Sequence, residues 1–505
     1  MYTSFVRFPG AAAALAALLA GAGGLTACGT TVPNPGSAAS GSGLGQEAGQ
    51  PVAVPSASQP AGARVPGALT ATGSSTTGLA SNGVANTGPG AAAVGSAPTL
   101  PKAGAPVLIG FATEKDVTAY ASTLGISSFD FGDVDAQIRA VVADINRRGG
   151  LAGHRIVVVE HDISTQDRAD NPAGAAQAAC ADWTQDHHVF AVLDSYAGIS
   201  TLPGMLDCLA KAHVPLLSDF VSDAANDATY TRHPLLASPS SMTVDRYIPA
   251  EIDQLYANGF FTGWDATAGK AGVAPVKIGA QSFDDAAGQH YIDVLRAALA
   301  RHGLKLDAVE SHTRSVDAAA AGSSSAVLHF RSQGITHVFF ANLVFYEDAD
   351  SQGYHPRYNV DDLLGPAVLA QNVRASQLHG AMGSGYQPQL EVPNAPAPNA
   401  ASGHCLTVMK AAGQTATSDQ ARLSMYEMCS HWYLLERLFS PGTALTPAAY
   451  RAGIEALGTT FQSAATYGTH FGPTRHFGAS ELRSFAYDDA CTCFRFTSSR
   501  LSPVP

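Results

Sequence analysis

The chain has 505 residues, of which 46% are hydrophobic and 14% charged, and its formal net charge is −12 at pH 7. This length is sufficient for two or three domains with buried cores. The negative charge is spread thinly and no long basic run occurs, which argues against a nucleic-acid-binding surface.

The first 28 residues predict an export signal that does not belong to the fold. Arg7 supplies a short positive region, Ala11–Ala22 is apolar and built of small residues, and Cys28 ends the sequence Leu-Thr-Ala-Cys. This pattern resembles a bacterial lipobox, in which the cysteine thiol receives a diacylglycerol anchor and the chain is cleaved before it. The alternative is an ordinary secretory signal with an incidental cysteine.

Residues 29–104 predict a disordered tether. They are almost entirely Gly, Ala, Ser, Thr, Pro and Val, with hardly any charge and no aromatic residue. Such a segment buries too little surface to offset the entropy of ordering the chain. As a flexible coil it would reach roughly 50 Å, which lets a folded body turn freely near the membrane.

The segment Asp133–Glu160 indicates an α/β fold. Apolar residues at helical spacing predict an amphipathic helix over Asp135–Asn146, three glycines follow it, and Ile156–Val159 is a β-branched run typical of a strand covered on both faces. With an earlier strand at Val107–Phe111, this is a βαβ unit. Further elements are predicted at Ala173–Gln185, Val189–Leu193, Leu202–Ala212, Val214–Leu217, Leu235–Ser238 and Val244–Ala257.

A second α/β series begins at Val276–Ala280 and has about the same size as the first. Its other predicted elements are Ala286–His302, Leu306–Glu310, Ala318–Ser332, Thr336–Ala341, Asp348–Tyr354 and Asn359–Gly365. Helices at Leu406–Ala412 and Asp419–Leu438 and a last strand at Cys493–Phe496 follow. Ligands of open α/β sheets bind beyond the carboxyl ends of the strands, so two facing sheets predict a site in the cleft between them.

Six cysteines remain if Cys28 is lipidated, an even number that suits an oxidising compartment. Their spacing suggests the disulfides Cys180–Cys208, Cys405–Cys429 and Cys491–Cys493. The last of these would close a very small ring, which disulfide geometry disfavours. A metal site at this CxC pair is the rival interpretation, although no second Cys/His pair lies nearby at ligand spacing.

The order of these elements resembles the type I periplasmic binding proteins, specifically the branched-chain amino-acid receptors of ABC importers. Asp144–Arg155 is similar to the family's helix-to-strand segment, and Cys180 and Cys208 match the spacing of the disulfide in its first lobe. Leu217–Tyr230 stands at a characteristic loop of the family, and Thr466–Phe485 resembles its terminal segment. The resemblance covers roughly residues 105–497 and depends on the order and spacing of these segments together.

The resemblance implies two Rossmann-like lobes joined by three crossing strands. The first lobe would comprise residues 105–240 and 380–460, the second residues 241–379 and 461–497, and residues 498–505 would form a tail. This division places Cys405 with Cys429 in one lobe and Cys491 with Cys493 in the other, in agreement with the pairing that the spacing suggests.

In the first lobe, the family holds a ligand carboxylate through hydroxyls and backbone N–H groups of two loops, at a helix N-terminus that favours an anion. The corresponding candidates here are Ser195, Tyr196, Gly198, Ser200, Thr201, Asp219 and Ser222. A helix-capping role for Ser200 is the alternative. Asp219 stands where the family has proline, and it adds a negative charge near the expected anion site.

In the second lobe, Ala287 stands where the family has its closing aromatic, and Ala367 stands where it has the acid that pairs with the ligand ammonium. The remaining candidate ligand-binding residues are Phe283, Asp284, Asn342, Phe345 and Glu347. Asp284 or Glu347 would have to replace the missing acid. These departures argue against leucine or its relatives as the ligand.

These features together predict an extracytoplasmic, lipid-anchored substrate-binding protein of an ABC importer, which captures an amino-acid-like or other carboxylate solute by cleft closure. Its expected partners are the solute, a membrane permease and, through Cys28, the membrane itself; no nucleic acid, cofactor or metal is expected. A receptor that feeds a regulatory partner is the alternative. An enzyme is disfavoured because no nucleophile–base–orienter set can be assembled from the sequence.

Overall fold

The computed structural model of the protein describes residues 104–119, 130–195, 197–219, 226–313, 316–361, 365–395 and 399–505. The predicted export signal with Cys28, the tether up to residue 103, and the candidate ligand-binding residues Tyr196 and Ser222 lie outside the described residues. Within this part of the chain, no helix combines the length and the apolarity that a membrane span requires.

Five parallel strands form the first sheet, in the order β2-β1-β3-β4-β5. Their bounds are Val107–Thr113 (β1), Ile156–Asp162 (β2), Ala191–Asp194 (β3), Leu216–Ser218 (β4) and Leu236–Ala237 (β5). The strand β1 is almost wholly buried, as its apolar sequence predicts for a strand covered on both faces. Gly110 lies at its middle, where an added Cβ would come within 2.9 Å of the Trp183 ring. A larger residue there would push the tryptophan out of the core.

The helices that connect these strands are Val134–Arg147 (α1), Thr165–Asp170 (α2), Pro172–Ala181 (α3), Met205–Lys211 (α4) and Asp227–Arg232 (α5). The bounds of α1, α3 and α4 lie within a few residues of the predicted ones, whereas α2 and α5 were not predicted. The helix α1 begins where the side chain of Asp133 accepts a hydrogen bond from the N–H of Ala136. Its apolar stripe, including Ile138 and Ile145, is buried as the helical spacing predicts.

The second sheet has the order β14-β13-β12-β11-β10-β8-β9, with β15 paired to β13. A short hairpin precedes it, Trp264–Asp265 (β6) and Lys270–Ala271 (β7). The sheet strands are Ile278–Phe283 (β8), Leu306–His312 (β9), His337–Phe339 (β10), Arg357–Val360 (β11), Met382–Gly385 (β12), Glu481–Asp488 (β13), Cys493–Phe496 (β14) and Ser502–Pro503 (β15). The strands β8 to β12 run parallel, whereas β13 pairs antiparallel with its neighbours.

Two boundaries of the predicted lobes differ from this arrangement. The sequence places residues 380–385 in the first lobe, but β12 is hydrogen-bonded between β11 and β13 of the second sheet. The predicted tail, residues 498–505, contains β15, and Val504 within it is buried. Both segments therefore belong to the second lobe, because their backbone hydrogen bonds are made there.

Six helices accompany the second sheet, namely Val244–Ala257 (α6), Ala286–Ala300 (α7), Val316–Gln333 (α8), Leu343–Ser351 (α9), Pro366–Asn372 (α10) and Ala375–Leu378 (α11). The sequence predicts the ninth helix to start at Asp348, five residues too late. It starts at Leu343 because the side chain of Asn342 accepts a hydrogen bond from the N–H of Phe345 at 2.9 Å, which caps the first turn.

The chain then returns to the first sheet and covers it with three helices, Ala400–Ala411 (α12), Asp419–Arg437 (α13) and Pro447–Ala456 (α14). Trp432 of α13 stacks on Phe111 of β1, with 5.9 Å between the ring centroids. Tyr450 of α14 donates a hydrogen bond to the carbonyl of Leu216 in β4 at 3.4 Å. The first lobe is thus built from two separate parts of the sequence.

Three segments connect the two sheets, residues 238–243, 386–399 and 457–480, which we call the first, second and third crossings. The N–H of Ser238 donates to the carbonyl of His476 at 2.9 Å, which joins the first crossing to the third. The N–H of Tyr467 donates to the carbonyl of Tyr386 at 3.2 Å, which joins the third crossing to the second. The three crossings are therefore bonded to one another as well as to the lobes.

All three predicted disulfides are present. The Cα–Cα distances are 6.4 Å for Cys180–Cys208, 5.9 Å for Cys405–Cys429 and 5.2 Å for Cys491–Cys493. The first joins α3 to α4 and the second joins α12 to α13, so each ties two neighbouring helices. Since Cys491 and Cys493 are bonded to each other, the rival metal site at this pair is not formed.

Candidate functional site

Acidic side chains stand at the carboxyl edge of the first sheet, where parallel sheets bind their ligands. Asp194 is the last residue of β3, and Glu114 and Asp219 directly follow β1 and β4. The crossings lie beside the same edge, because Asp219 contacts Ser238 and Ser240 of the first crossing. This edge is therefore the candidate ligand site of the first lobe.

Asp194 occupies the backbone donors that the family pattern assigns to a ligand carboxylate. Its side chain accepts hydrogen bonds from the N–H groups of Ala197 at 2.8 Å, Gly198 at 3.1 Å and Ile199 at 2.8 Å. The Gly198 N–H is therefore already occupied, and a ligand contact at Gly198 stays a prediction. The loop after β3 already holds a carboxylate, and that carboxylate belongs to the protein.

The hydroxyl groups of the same loop have different surroundings. Thr201 Oγ1 donates to the carbonyl of Gly198 at 2.7 Å, and Ser200 Oγ lies at hydrogen-bond distance, 3.1 Å, from Ser218 Oγ. Ser195 Oγ is buried and has no hydrogen-bond partner among the described residues. Of these three predicted contacts, Ser195 is the one whose polar atom is available to a ligand.

Asp219 fastens the first crossing to the first sheet with one of its two carboxylate oxygens. Oδ1 accepts hydrogen bonds from Ser238 Oγ and from the N–H of Ser240, both at 2.7 Å, and the backbone carbonyl accepts one from Ser241 Oγ. Oδ2 has no hydrogen-bond partner in the described part of the chain and lies 3.5 Å from Nδ1 of His431. Asp219, which stands where the family has proline, thus has a structural role, and its Oδ2 accepts no hydrogen bond from the described residues.

Further polar side chains beside Asp219 come from one face of α13. Glu427 Oε1 accepts a hydrogen bond from Gln387 Nε2 in the second crossing at 3.1 Å, and Ser430 Oγ bonds to Ser463 Oγ in the third crossing at 2.9 Å. We call the set Asp219, Glu427, Ser430 and His431 the hinge cluster. Between them, these four side chains of the first lobe contact all three crossings.

Two groups of the hinge cluster have distinctive electrostatics, the Glu427 carboxyl and the His431 ring. Burial, and after it the neighbouring Asp219 carboxylate, raises the pKa of Glu427 well above its ordinary value. Nδ1 of the buried His431 lies 2.8 Å from the carbonyl of Glu427, which places the proton of a neutral ring on Nδ1. Nε2 is then an acceptor, and it has no partner among the described residues.

Glu114 is a second buried acid at the same edge. Burial raises its pKa to about 7, and the guanidinium of Arg168, 3.9 Å away, opposes the shift. Arg168 also donates hydrogen bonds to the carbonyls of Ala197 and Gly198. The loop after β3 is therefore held on its N–H side by Asp194 and on its carbonyl side by Arg168.

The sequence analysis did not single out Glu114, Arg168, Asp194, Glu427 or His431. A signal for two of them exists, because Glu114 and Asp194 stand at the ends of predicted strands, the position where ligands of such sheets bind. Glu427 and His431 are one helical turn apart on a largely buried helix, which is an unusual place for a polar pair. Only the folded structure shows that Glu427 and His431 lie close to Asp219.

The candidates of the second lobe stand after β8 and β10. Phe283 is buried against the rings of His312 and Phe340, with centroid distances of 5.3 and 5.7 Å. Asp284 is exposed. Asn342 is 8% exposed, and its Nδ2 has no hydrogen-bond partner within the described ranges. Asp284 and Asn342 remain candidate ligand contacts of this lobe.

Phe345 and Glu347 are the other two candidates of the second lobe. Phe345 is fully buried in the lobe's core, where its ring packs against those of Phe330 and Tyr358 at 5.7 and 6.3 Å, so the ring is not exposed to a ligand. Glu347 is exposed and lines a cavity of about 570 Å³ together with residues at the C-terminal end of α10. Its contact with a ligand stays a prediction.

A sequence profile described as periplasmic binding protein matches residues 125–490 of this chain. Among curated protein sequences, none matches it significantly.

Several solved structures have a similar fold. A branched-chain amino-acid ABC transporter protein from Thermus thermophilus with bound valine gives a TM-score of 0.54 at 13% identity, over 79% of this chain and 96% of the other. A solute-binding protein from R. palustris in complex with 4-hydroxybenzoate gives 0.54 at 11% identity, over 79% and 97%. An ABC transporter substrate-binding protein from Aeropyrum pernix gives 0.57 at 11% identity, over 79% and 96%. These chains share the two-sheet arrangement over almost their whole length.

Proposed function

Because this chain belongs to the periplasmic binding protein family, we propose that it is an extracytoplasmic substrate-binding protein of an ABC importer. The observation that carries the proposal is the pairing of a parallel and a largely parallel sheet, joined by three crossings, with polar side chains at the carboxyl edge of the first. A solute that binds between such lobes draws them together, and the closed form is presented to a permease. The process requires no covalent chemistry.

The hinge cluster connects solute binding to lobe closure. Asp219, Glu427 and Ser430 each hold one crossing, while Asp219 Oδ2 and His431 Nε2 are left without hydrogen-bond partners among the described residues. A solute that reaches these atoms from the second lobe gains contacts that exist only when the lobes are close. The closed form is then stabilised because the solute binds it more tightly than it binds the open form.

The solute, we infer, presents hydrogen-bond donors, as an amine or an amide does. The N–H groups after β3 are occupied by Asp194, so these three donors are not available to a ligand carboxylate. Three buried atoms of the first lobe without partners among the described residues can accept hydrogen bonds from such a solute: Ser195 Oγ, Asp219 Oδ2 and His431 Nε2. Valine and 4-hydroxybenzoate, the ligands of two similar structures, both carry carboxylates, so the specificity proposed here differs from theirs.

A lipid anchor at Cys28 would keep the protein on the outer face of the cell membrane. The support for it is the sequence before Cys28, followed by a long segment of small residues that lets the folded body move. Metabolic labelling with a fatty-acid analogue tests this proposal. The wild-type chain should carry the label and the Cys28→Ala variant should not; an unlabelled wild type would contradict a lipid anchor.

The experiment that tests the function is a ligand screen on the purified body, residues 105–505. Native mass spectrometry identifies any co-purified molecule, and a thermal-shift screen then compares amines, amides, amino acids, carboxylates and sugars. A ligand present at a hundred times its Kd should stabilise the fold by about 2.7 kcal/mol, which is several degrees in Tm. A shift from amines or amides supports both parts of the proposal.

A shift produced only by carboxylates would keep the solute-binding function and contradict the inferred chemistry. No shift from any class, and no co-purified molecule, would contradict solute capture itself and favour a receptor that responds to another protein. Deletion of the gene for the partner permease separates import from sensing, because import of the identified solute should then stop.

A further inference from the structure

We propose that the Cys491–Cys493 disulfide is a thiol–disulfide exchange site that oxidises dithiols. It lies in the turn between β13 and β14, just after Asp488, whose pairing partner in the hairpin is Cys493. Cys491 and Thr492 are exposed and Cys493 is half-buried. An attacking thiolate can therefore reach Cys491 from solvent without any opening of the fold.

The other two disulfides are protected by comparison. Cys405 and Cys429 are both fully buried between α12 and α13, and Cys180 is fully buried against a half-buried Cys208. Each of these bridges also joins two helices through cysteines that are more than twenty residues apart in sequence. Breaking such a bridge releases a long loop of the unfolded chain, so the folded state resists its reduction more strongly.

The Cys491–Cys493 bridge receives little of this protection. It closes a ring with a single residue between its cysteines, and such a short ring constrains the unfolded chain least. Thr492, the residue inside the ring, has a φ of +51°, a conformation that a β-branched residue rarely adopts. Exposed disulfides held in an unfavourable conformation are the ones that exchange readily.

The hairpin itself does not depend on the bridge. Four residue pairs join β13 to β14, and the ring of Phe494 lies 5.9 Å from that of Phe485 and 5.3 Å from that of Tyr487. Reduction therefore leaves the two cysteines on a folded turn, with their Cα atoms still held close. This position allows the bridge to form again.

The reaction follows the usual course of thiol–disulfide exchange. One thiolate of the dithiol attacks Sγ of Cys491, a mixed disulfide forms, and Cys493 leaves as a thiolate that takes up a proton. The second thiol of the reductant attacks the mixed disulfide and releases Cys491 as a thiol. Two electrons and two protons have then passed to the protein, and the dithiol departs as a disulfide.

Dithiothreitol is the probe for the first test. The full chain is equilibrated with graded ratios of its reduced and oxidised forms, the thiols are alkylated rapidly, and each cysteine is followed by mass spectrometry. Cys491 and Cys493 should be half-labelled at a ratio of reduced to oxidised probe at least tenfold lower than the other four cysteines. Labelling of all six cysteines together, or labelling that requires denaturant, would overturn the proposal.

The second test compares variants for the oxidation of one equivalent of reduced dithiothreitol. The wild type should consume two thiols per chain, whereas C491A/C493A should consume none while keeping its circular dichroism spectrum. A matched variant, C405A/C429A, should consume as many as the wild type, because its exposed bridge is intact. Equal consumption by wild type and C491A/C493A would contradict an exchange site at this turn.

Discussion

Ser218 donates a hydrogen bond from its hydroxyl to Oδ2 of Asp194 at 3.0 Å, so one buried carboxylate fastens the ends of two neighbouring strands. The same carboxylate binds three N–H groups of the loop after β3. The Asp194 carboxylate therefore accepts four hydrogen bonds. One donor is in β4 and the other three are in a single turn. The site edge of the first lobe is consequently rigid at this point.

Replacing Asp194 by Asn should destabilise the protein by about 3 kcal/mol. The amide turns one acceptor into a donor that faces buried N–H groups or the Ser218 hydroxyl, and buried donors without partners are costly. The free energy of unfolding in urea measures the effect. Asp284→Asn, at an exposed position, is the control and should change it by less than about 0.5 kcal/mol. Equal effects of the two substitutions would contradict the role given to Asp194.

Replacing Asp219 by Asn should weaken ligand binding more than it weakens the fold. The amide oxygen can still accept the bonds from Ser238 and Ser240, while the amide nitrogen replaces the available acceptor with a donor. A ligand amine should then bind at least tenfold less tightly, which is about 1.4 kcal/mol. Isothermal titration with the ligand found in the screen measures this change. Asp293→Asn, on an exposed face of α7, should leave the affinity unchanged; an unchanged affinity in the Asp219 variant would exclude its contact with the ligand.

Glu114 should make the stability of the protein depend on pH between about 4.5 and 7. Burial raises its pKa in the folded state to about 7 from an ordinary value of 4.5, so the folded protein holds this proton more tightly than the unfolded chain does. The resulting contribution is complete below pH 4.5 and is lost as the pH rises to 7, and it amounts to about 3 kcal/mol at most.

The Glu114→Gln variant cannot ionise and should lack this dependence. Its free energy of unfolding, relative to that of the wild type, should therefore increase by up to about 3 kcal/mol between pH 4.5 and pH 8. Urea unfolding of both proteins at several pH values measures the difference, since the contributions of other groups cancel. A difference that stays constant across this range would contradict a raised pKa at Glu114.

The disulfides should contribute unequally to stability. Removing the Cys405–Cys429 bridge with two alanines should cost about 3.5 kcal/mol from chain entropy, because it closes a loop of 24 residues. Removing the Cys491–Cys493 bridge in the same way should cost about 1.5 kcal/mol, because its ring is short. Calorimetric melting of the two double variants gives the comparison. Equal losses would show that the short bridge supports more of the fold than its position suggests.

The sequence was most informative where local pattern and packing agree. The helix Val244–Ala257 has the predicted bounds, all three disulfides form as their spacing suggests, and the resemblance to the family is confirmed. By contrast, β12 has the sequence Met-Gly-Ser-Gly and was not predicted, because neither β propensity nor alternation marks it. It is a strand because β11 and β13 supply its hydrogen bonds.

The candidate site was harder to predict for a related reason. The sequence shows that Gly198 stands at the family's ligand position, but only the side-chain conformation of Asp194 shows that its N–H is already occupied. Phe345 stands among the predicted ligand contacts, and only the packing shows that its ring lies in the core. Glu427 and Asp219 are about two hundred residues apart, so no local pattern could have joined them.

The helices α12, α13 and α14 complete the first lobe, although they follow the parallel strands of the second in the chain. An emerging chain that has reached β5 therefore has a first sheet whose buried face still lacks Trp432. The second sheet is likewise incomplete until β13 and β14, near the end of the sequence, have emerged. Neither lobe can fold to completion before nearly the whole chain has been exported, so folding should be a late and concerted event on the far side of the membrane. Truncation between β5 and the end of α14 at Ala456 should then yield not one finished lobe but two unfinished ones.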